Sequence, residues 1–278
     1  GLIRPTATAV SAMASRHSST TRRALNGVHH APSAPPAPPS LTRFSRWLRA
    51  RGYGPGRSHA YTHFYCDGSK AKPSLRGLSH EVFFALTPAL WAYIFFAVAR
   101  TATARAAASV FMACWAAMFG CSSQFHRRQW DLAEEQFMSD LDHVGILLMV
   151  AGSYVPLAQL LGPWKRAAFC AALSVSLAAG ARHSFTKRGS RWGETLVAFA
   201  MAAVALPVAP DLYAHCTALE SALHWASLAQ FGAGGIVYAA RWPDPWPASF
   251  GSQEIFHALT CTGGLTVYAM NCAVCARV

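Results

Sequence analysis

The stretch LDHVGILLMVAGSYVP, Leu141–Pro156, decides how this chain is read. It opens with a carboxylate and an imidazole, Asp142 and His143, and continues as an almost unbroken apolar run. Just upstream, SSQFH at Ser122–His126 closes another apolar run, so the two runs meet around a short charged connection. Apolar runs this long suit lipid better than water. Ionisable groups at the ends of such runs are costly and become functional candidates by default.

Composition supports that reading across the whole chain. Of 278 residues, 53% are hydrophobic and 13% charged, the latter about half the fraction of a soluble domain. Too few charges remain to cover a soluble surface, so a multi-pass membrane protein is expected. Seven apolar runs fall at about 82–99, 106–126, 141–161, 164–182, 194–210, 219–240 and 254–275. Each is near the length that crosses a bilayer as a helix. Small residues fill them, as in AAASVFMACWAAMFG and AALSVSLAAGA, and small side chains let membrane helices pack closely. The expected fold is therefore all-α, a seven-transmembrane-helix bundle over residues 80–278.

Residues 1–79 have a different character. They are basic and, around HHAPSAPPAPPS (His29–Ser40), Pro-rich, and so are expected to be a disordered tail. Residues 1–80 hold 12 of the 24 Lys and Arg but only one of the 12 acids, Asp67. The Arg-, Ser- and Ala-rich start has the composition of a mitochondrial or plastid transit peptide. The alternative is a basic tail lying against an anionic leaflet. In the loops, Lys and Arg number seven on the side of the N-terminus and five on the other, which together with the tail places the N-terminus on the cytoplasmic or equivalent inner side. No phosphate loop or nucleotide fingerprint is present, and no nucleic-acid partner is expected. Cys114, Cys170 and Cys261 sit inside apolar runs as small hydrophobes. Cys272-x-x-Cys275 is a single pair and weak evidence for a metal.

With seven spans, the end of the second and the starts of the third and seventh meet at one membrane face. Ser122 and His126 are four apart and share a helix face, as do Gln253 and His257. His126, His257 and the carboxylate of Asp142 could surround a zinc ion that keeps an open position for water. Each motif alone is bland, because Ser-x-x-x-His arises often by chance as a packed histidine. His143 follows Asp142 directly, points elsewhere and reads as a helix-end residue. His224 reads as a hydrogen-bonding group inside the bundle, and His183 and His215 as solvated. Trp130, Trp164, Trp192, Trp242 and Trp246 read as an interface belt.

Three blocks taken together resemble the haemolysin III and progestin/adipoQ receptor (PAQR) family: SSQFH, LDHVGILLMVAGSYVP, and GGIVYAARWPDPWPASFGSQEIFHALTCTGG at Gly234–Gly264. The resemblance covers 80–278, with the receptor branch the nearer one. It implies a seven-helix bundle with a zinc ion on the cytoplasmic side, His126 and His257 as ligands, Asp142 on the metal-bound water and Ser122 as its supporting partner. The position of a further zinc-binding histidine is taken by Gln253, a poor zinc ligand beside imidazole. The early Glu-x-x-Asn-x-x-Thr-His motif is also altered: Glu81 and Thr87 remain, while Phe84 and Pro88 stand at the Asn and His positions. Two functions follow from the resemblance. One is a zinc-dependent hydrolase of lipid amides of the ceramide type. The other is a non-enzymatic receptor for a lipid or hormone, in which the His/Asp cluster is structural. Membrane lipids are the expected partners under both. A transporter has less support, since no inverted repeat is apparent.

Overall fold

In the computed structural model, residues 41–55, 72–186 and 190–278 are described, and among them the regular structure is helical. The Pro-rich stretch, the transit-peptide segment, Lys187 and Arg188 lie outside the described residues. Helix α1 spans Arg43–Arg49 and α2 spans Leu78–Ala92, continuing as a π-helical turn to Val98. Then come α3 (Ala102–Arg127), α4 (Leu132–Leu157), α5 (Pro163–Thr186) and α6 (Arg191–Ala203). Helices α7 (Ala209–His215), α8 (Ala218–Ala240) and α9 (Ser252–Cys275) complete the order.

Local sequence explains the boundaries. Thr101 caps α3 by accepting from the Ala104 amide, and Ser190 caps α6 through Gly193. Asp131 and Glu134 form a reciprocal capping box at the start of α4, and Thr217 and Glu220 do the same for α8. Pro207 lies in the 3-10 turn between α6 and α7, and Pro210 lies in the first turn of α7, where its missing amide hydrogen leaves no intrahelical bond unmade. The capping box also moves the start of α4 to Leu132, nine residues before the apolar run begins. Asp142 therefore lies inside a helix and not at its first residue.

All seven apolar runs fall on helical segments. Five are long and apolar enough to cross a membrane: Leu78–Val98, Ala102–Arg127, Leu132–Leu160, Arg191–His215 and Ser252–Cys275. The count of seven spans is thus met only in part. Helix α5 is rich in Ala and Ser and carries Lys165, Arg166 and Arg182, while α8 includes Glu220, His224 and Gln230. The outward faces are nonetheless apolar along the bundle: Phe96 is 70% exposed, Trp164 83% and Leu206 70%. Large exposed apolar side chains of this kind suit a membrane environment.

Helix α3 buries Phe111, Trp115 and Phe119 completely. It packs on α4 through the glycines of the deciding stretch. A Cβ on Gly145 would lie 3.0 Å from the Met118 Cα, and one on Gly152 would lie 2.5 Å from the Cys114 Cβ. These two glycines, seven residues apart, form one seam that lets the backbones approach. Asn271 of α9 donates across to the Ser153 carbonyl at 3.3 Å.

The fold also alters the expected boundary at residue 80. Within the supposed tail, α1 is tied to the start of α4: Thr42 bonds Glu134, Tyr53 donates to Asp140 at 2.8 Å, and the Gly54 amide donates to Gln136 at 2.7 Å. Residues 41–55 are therefore part of the helical unit.

Candidate functional site

The site forms where α2 and α9 begin, α3 ends and α4 completes its third turn. Gly77 brings α2 there. Its backbone is left-handed (φ 74°), and a Cβ on it would lie 2.7 Å from the Cβ of His126. Only glycine allows both the turn and the approach. Immediately after it, His80 enters the bundle with 2% of its surface exposed.

Four ionisable side chains meet at this point. The His80 and His257 rings stack with centroids 3.9 Å apart, and His257 meets His126 edge-on at 4.7 Å. Asp142 Oδ2 lies 3.6 Å from His126 Nε2, too long for a hydrogen bond. Ser122 Oγ is 2.8 Å from His80 Nδ1, and the Gln253 amide nitrogen is 3.2 Å from His257 Nε2. Asp142, Ser122, His126, His257 and Gln253, the five residues singled out from sequence, are thus gathered in one place. Sequence reasoning missed the sixth member, His80. The resemblance directs attention to the slot held by Pro88, eight residues later and off the site. The available signal was the apolar setting of His80 at the head of the first span.

Three ring nitrogens in this cluster are buried without a hydrogen-bond partner: His80 Nε2, His126 Nε2 and His257 Nδ1. Buried polar atoms normally find partners, so three orphans in neighbouring imidazoles call for an explanation. Among the described residues, no three His, Cys, Asp or Glu side chains converge as they stand on a point that could hold a metal ion. The stacked His80 and His257 rings cannot turn their in-plane lone pairs to one point as they stand. Imidazole nitrogen and carboxylate oxygen are donor types that zinc takes.

Two cavities adjoin the cluster. A polar one of about 40 Å³ is lined by Lys72, Arg76, His126, Asp142, His143 and Gln253, among others. Burial, and after it the Arg76 guanidinium, lower the Lys72 ammonium pKa to about 8. Lys72 donates to the carbonyls of Phe125 and Arg128 at the end of α3, and Arg76 pairs with Glu254 at the start of α9. The second cavity, about 140 Å³, lies between α4, α6, α8 and α9 and includes Val150, Ala198, Phe199, Leu228 and Val267 in its wall. His143 and Tyr238 line both cavities. His143 Nε2 is 2.9 Å from the Tyr238 hydroxyl and its Nδ1 is 2.7 Å from the Ser139 carbonyl. His143 does point away from His126, as expected, but it is a buried divider within α4 and not a helix-end residue.

Three further histidines among the described residues lie outside this cluster. His224 accepts or donates at Nδ1 with the Tyr213 hydroxyl at 2.8 Å, a hydrogen-bonding role inside the bundle as expected. His215 is exposed, whereas His183 is half-buried, 3.9 Å from Glu194. Cys272 and Cys275 are free, and Cys275 is buried against the Ala104 carbonyl.

The fold and this cluster define a class, a multi-pass helical membrane protein with buried imidazoles and a carboxylate at one end of its bundle. Residues 69–268 match the haemolysin-III related family. The chain belongs to that family.

Proposed function

We propose that this protein is a seven-pass, zinc-dependent hydrolase of lipid amides, with its N-terminus on the cytoplasmic or equivalent inner side. The observation that carries the reading is the junction of two unlike cavities at His143 and Tyr238. One side is polar and is lined by Asp142, His126 and Gln253, and the other is apolar. A molecule with an acyl chain and a polar amide suits that pair. At about 140 Å³ the apolar cavity is comparable to one of about 150 Å³ that holds a benzene. It therefore accepts a short segment of chain, and the rest would lie between helices or in lipid.

His126 and His257, with Asp142 beside them, would hold the ion. Bound zinc would polarise the amide carbonyl and acidify a water. Asp142 would take a proton from a water and return it to the departing amine. The amide C–N bond would break, water would supply the hydroxyl of the new carboxylic acid, and the amine would leave with the proton. Tyr238 and His143 position the group that enters from the apolar side. Lys72 and Arg76 stabilise the helix ends that form the pocket.

The test is elemental analysis and ceramide hydrolysis on the detergent-purified protein. Wild type should carry about one zinc per chain, and Asp142→Asn should lose about 10²–10⁴-fold in turnover, the usual range for a proton-transfer group. Zinc-free protein, or turnover indifferent to Asp142→Asn, refutes the proposal. The competing reading is a non-enzymatic receptor with a structural polar cluster. It is favoured by the Gln253–His257 hydrogen bond and the face-to-face rings of His80 and His257. Under that reading the same experiment gives neither zinc nor turnover.

A further inference from the structure

We infer that α1 is a membrane-surface foot, a short basic and aromatic helix that the fold holds in the headgroup layer, where it binds anionic phospholipid. The hydrolase reading is not needed for this, only the helices that cross the membrane. A basic tail against a leaflet is a matter of charge alone, whereas α1 is a fixed platform with two different sides.

Residues 41–51 read LTRFSRWLRAR, with four arginines and no acid. Ser45 and Leu48 form the buried side of α1. Away from them, Arg43, Arg46 and Arg51 are exposed, and Leu41, Phe44 and Trp47 are 41%, 40% and 46% exposed. At about 3.6 residues per turn, Arg46 stands opposite Phe44 across the helix, with Arg43 and Trp47 between them. The Phe44 and Trp47 rings stack with centroids 6.0 Å apart, and the Arg51 guanidinium lies 3.6 Å over the Trp47 ring. Among the described residues, no ion pair engages Arg43, Arg46 or Arg51. Arginines beside exposed aromatics on one short helix suit the membrane interface, where the cations meet phosphate and tryptophan sits at headgroup level.

The anchors of α1 set its depth. Thr42, the Gly54 amide and Tyr53 bond Glu134, Gln136 and Asp140 on α4. Those three residues precede the apolar run that opens at Leu141. At 1.5 Å per residue they lie about 2–11 Å outside it along α4. The headgroup layer on each side of the hydrocarbon core is about 5–8 Å thick, so the anchors hold α1 across that layer. A line of rings joins the aromatic side of α1 to the flank of the bundle. Phe44 meets Phe137 of α4 edge-on at 5.6 Å, and Phe137 lies 6.1 Å from Phe185 at the end of α5. The apolar side of α1 therefore continues the surface of the membrane helices, and Arg46 points the other way. Charge of one sign, at this depth and beside tryptophan, complements the phosphates of an anionic leaflet.

The experiment is amide hydrogen exchange, read by mass spectrometry, on the full chain in nanodiscs. One set holds phosphatidylcholine alone and the other an equal mixture with phosphatidylglycerol. In wild type, exchange over 43–51 should be at least about fivefold slower in the anionic discs, the contribution of one arginine at such a surface. About 1 M salt should remove most of that slowing, because it shortens the Debye length to about 3 Å. The variant Arg43→Gln/Arg46→Gln/Arg51→Gln should exchange alike in both discs, with exchange over 141–157 unchanged as the control for folding. Equal exchange of wild type in the two discs overturns the proposal and leaves this face to a protein partner. Slowing that survives the triple substitution, or that 1 M salt does not touch, overturns it too. If the triple variant does not fold, wild type decides: slowing that salt removes supports the foot, and slowing that salt leaves in place overturns it.

Discussion

Gly77→Ala is the substitution that probes most directly how the site is assembled. It has two costs. The backbone at residue 77 is left-handed, with φ 74°, and a residue with a Cβ loses about 1–2 kcal/mol in that conformation. The new Cβ would also stand 2.7 Å from the Cβ of His126. That contact involves the root of a side chain on a packed helix, so it cannot be relieved by a rotamer change. Overpacking of this kind costs about 1–3 kcal/mol. Together the two give about 2–5 kcal/mol, or a fall in Tm of about 4–20 °C for a chain of this size. The assay is thermal unfolding in detergent of wild type, Gly77→Ala, His126→Gly and the double variant. His126→Gly removes the obstructing Cβ, so the steric part should vanish in the double variant and the backbone part should persist. The expected coupling is therefore about 1–3 kcal/mol. A Gly77→Ala variant that melts within about 2 °C of wild type, or one whose cost is the same with and without the His126 Cβ, refutes the close-approach argument.

Three other outcomes follow from the same geometry. Tyr238→Phe removes the hydroxyl that partners His143 Nε2 at 2.9 Å and should cost about 1 kcal/mol; an unchanged Tm would show that the contact carries no stability. Lys72 titrates near 8 in the folded protein against a usual 10.5, so between those values the unfolded chain binds the extra proton. Stability should therefore rise as pH climbs through that window and be insensitive to this group below it. Lys72→Met should flatten the rise in Tm between pH 8 and 10, and equal slopes in both proteins would refute the assignment. Ala198→Leu fills part of the apolar cavity and should weaken binding of a fluorescent ceramide analogue while Tm holds; unchanged binding would show that the chain does not enter there.

Much of the fold was legible because membrane helices announce themselves by length and apolarity. The convergence of His126, Asp142 and His257 was legible because alternating spans must return to the same face. What could not be read was spacing between elements. His80 is far in sequence from Ser122 and His257, and no periodicity relates them, so its place in the cluster depends on the turn at Gly77. Helix α4 shows a different failure. Its apolar run starts at Leu141, but the Asp131–Glu134 capping box starts the helix at Leu132, and that polar signal was outweighed by hydrophobicity. The failure over 43–49 has the same root: α1 is short and basic, and it is ordered by contacts to Glu134, Gln136 and Asp140 that a composition reading cannot see.

The position of the cluster along the bundle follows from what it costs to bury. Ionisable groups at mid-membrane have no water and few partners. Here they lie within a few turns of the helix ends, where Lys72 reaches the last carbonyls of α3 and Arg76 pairs with Glu254 on the first turn of α9. Deeper in, the lining becomes apolar, and the change occurs at one hydrogen-bonded pair, His143 and Tyr238. In the proposed hydrolase this gradient would let the bond to be broken reach water while the chain avoids it. A receptor for an apolar ligand needs only the inner cavity. Three imidazole nitrogens buried without hydrogen-bond partners cost stability, and under the proposed chemistry that cost would be offset by the group they act on.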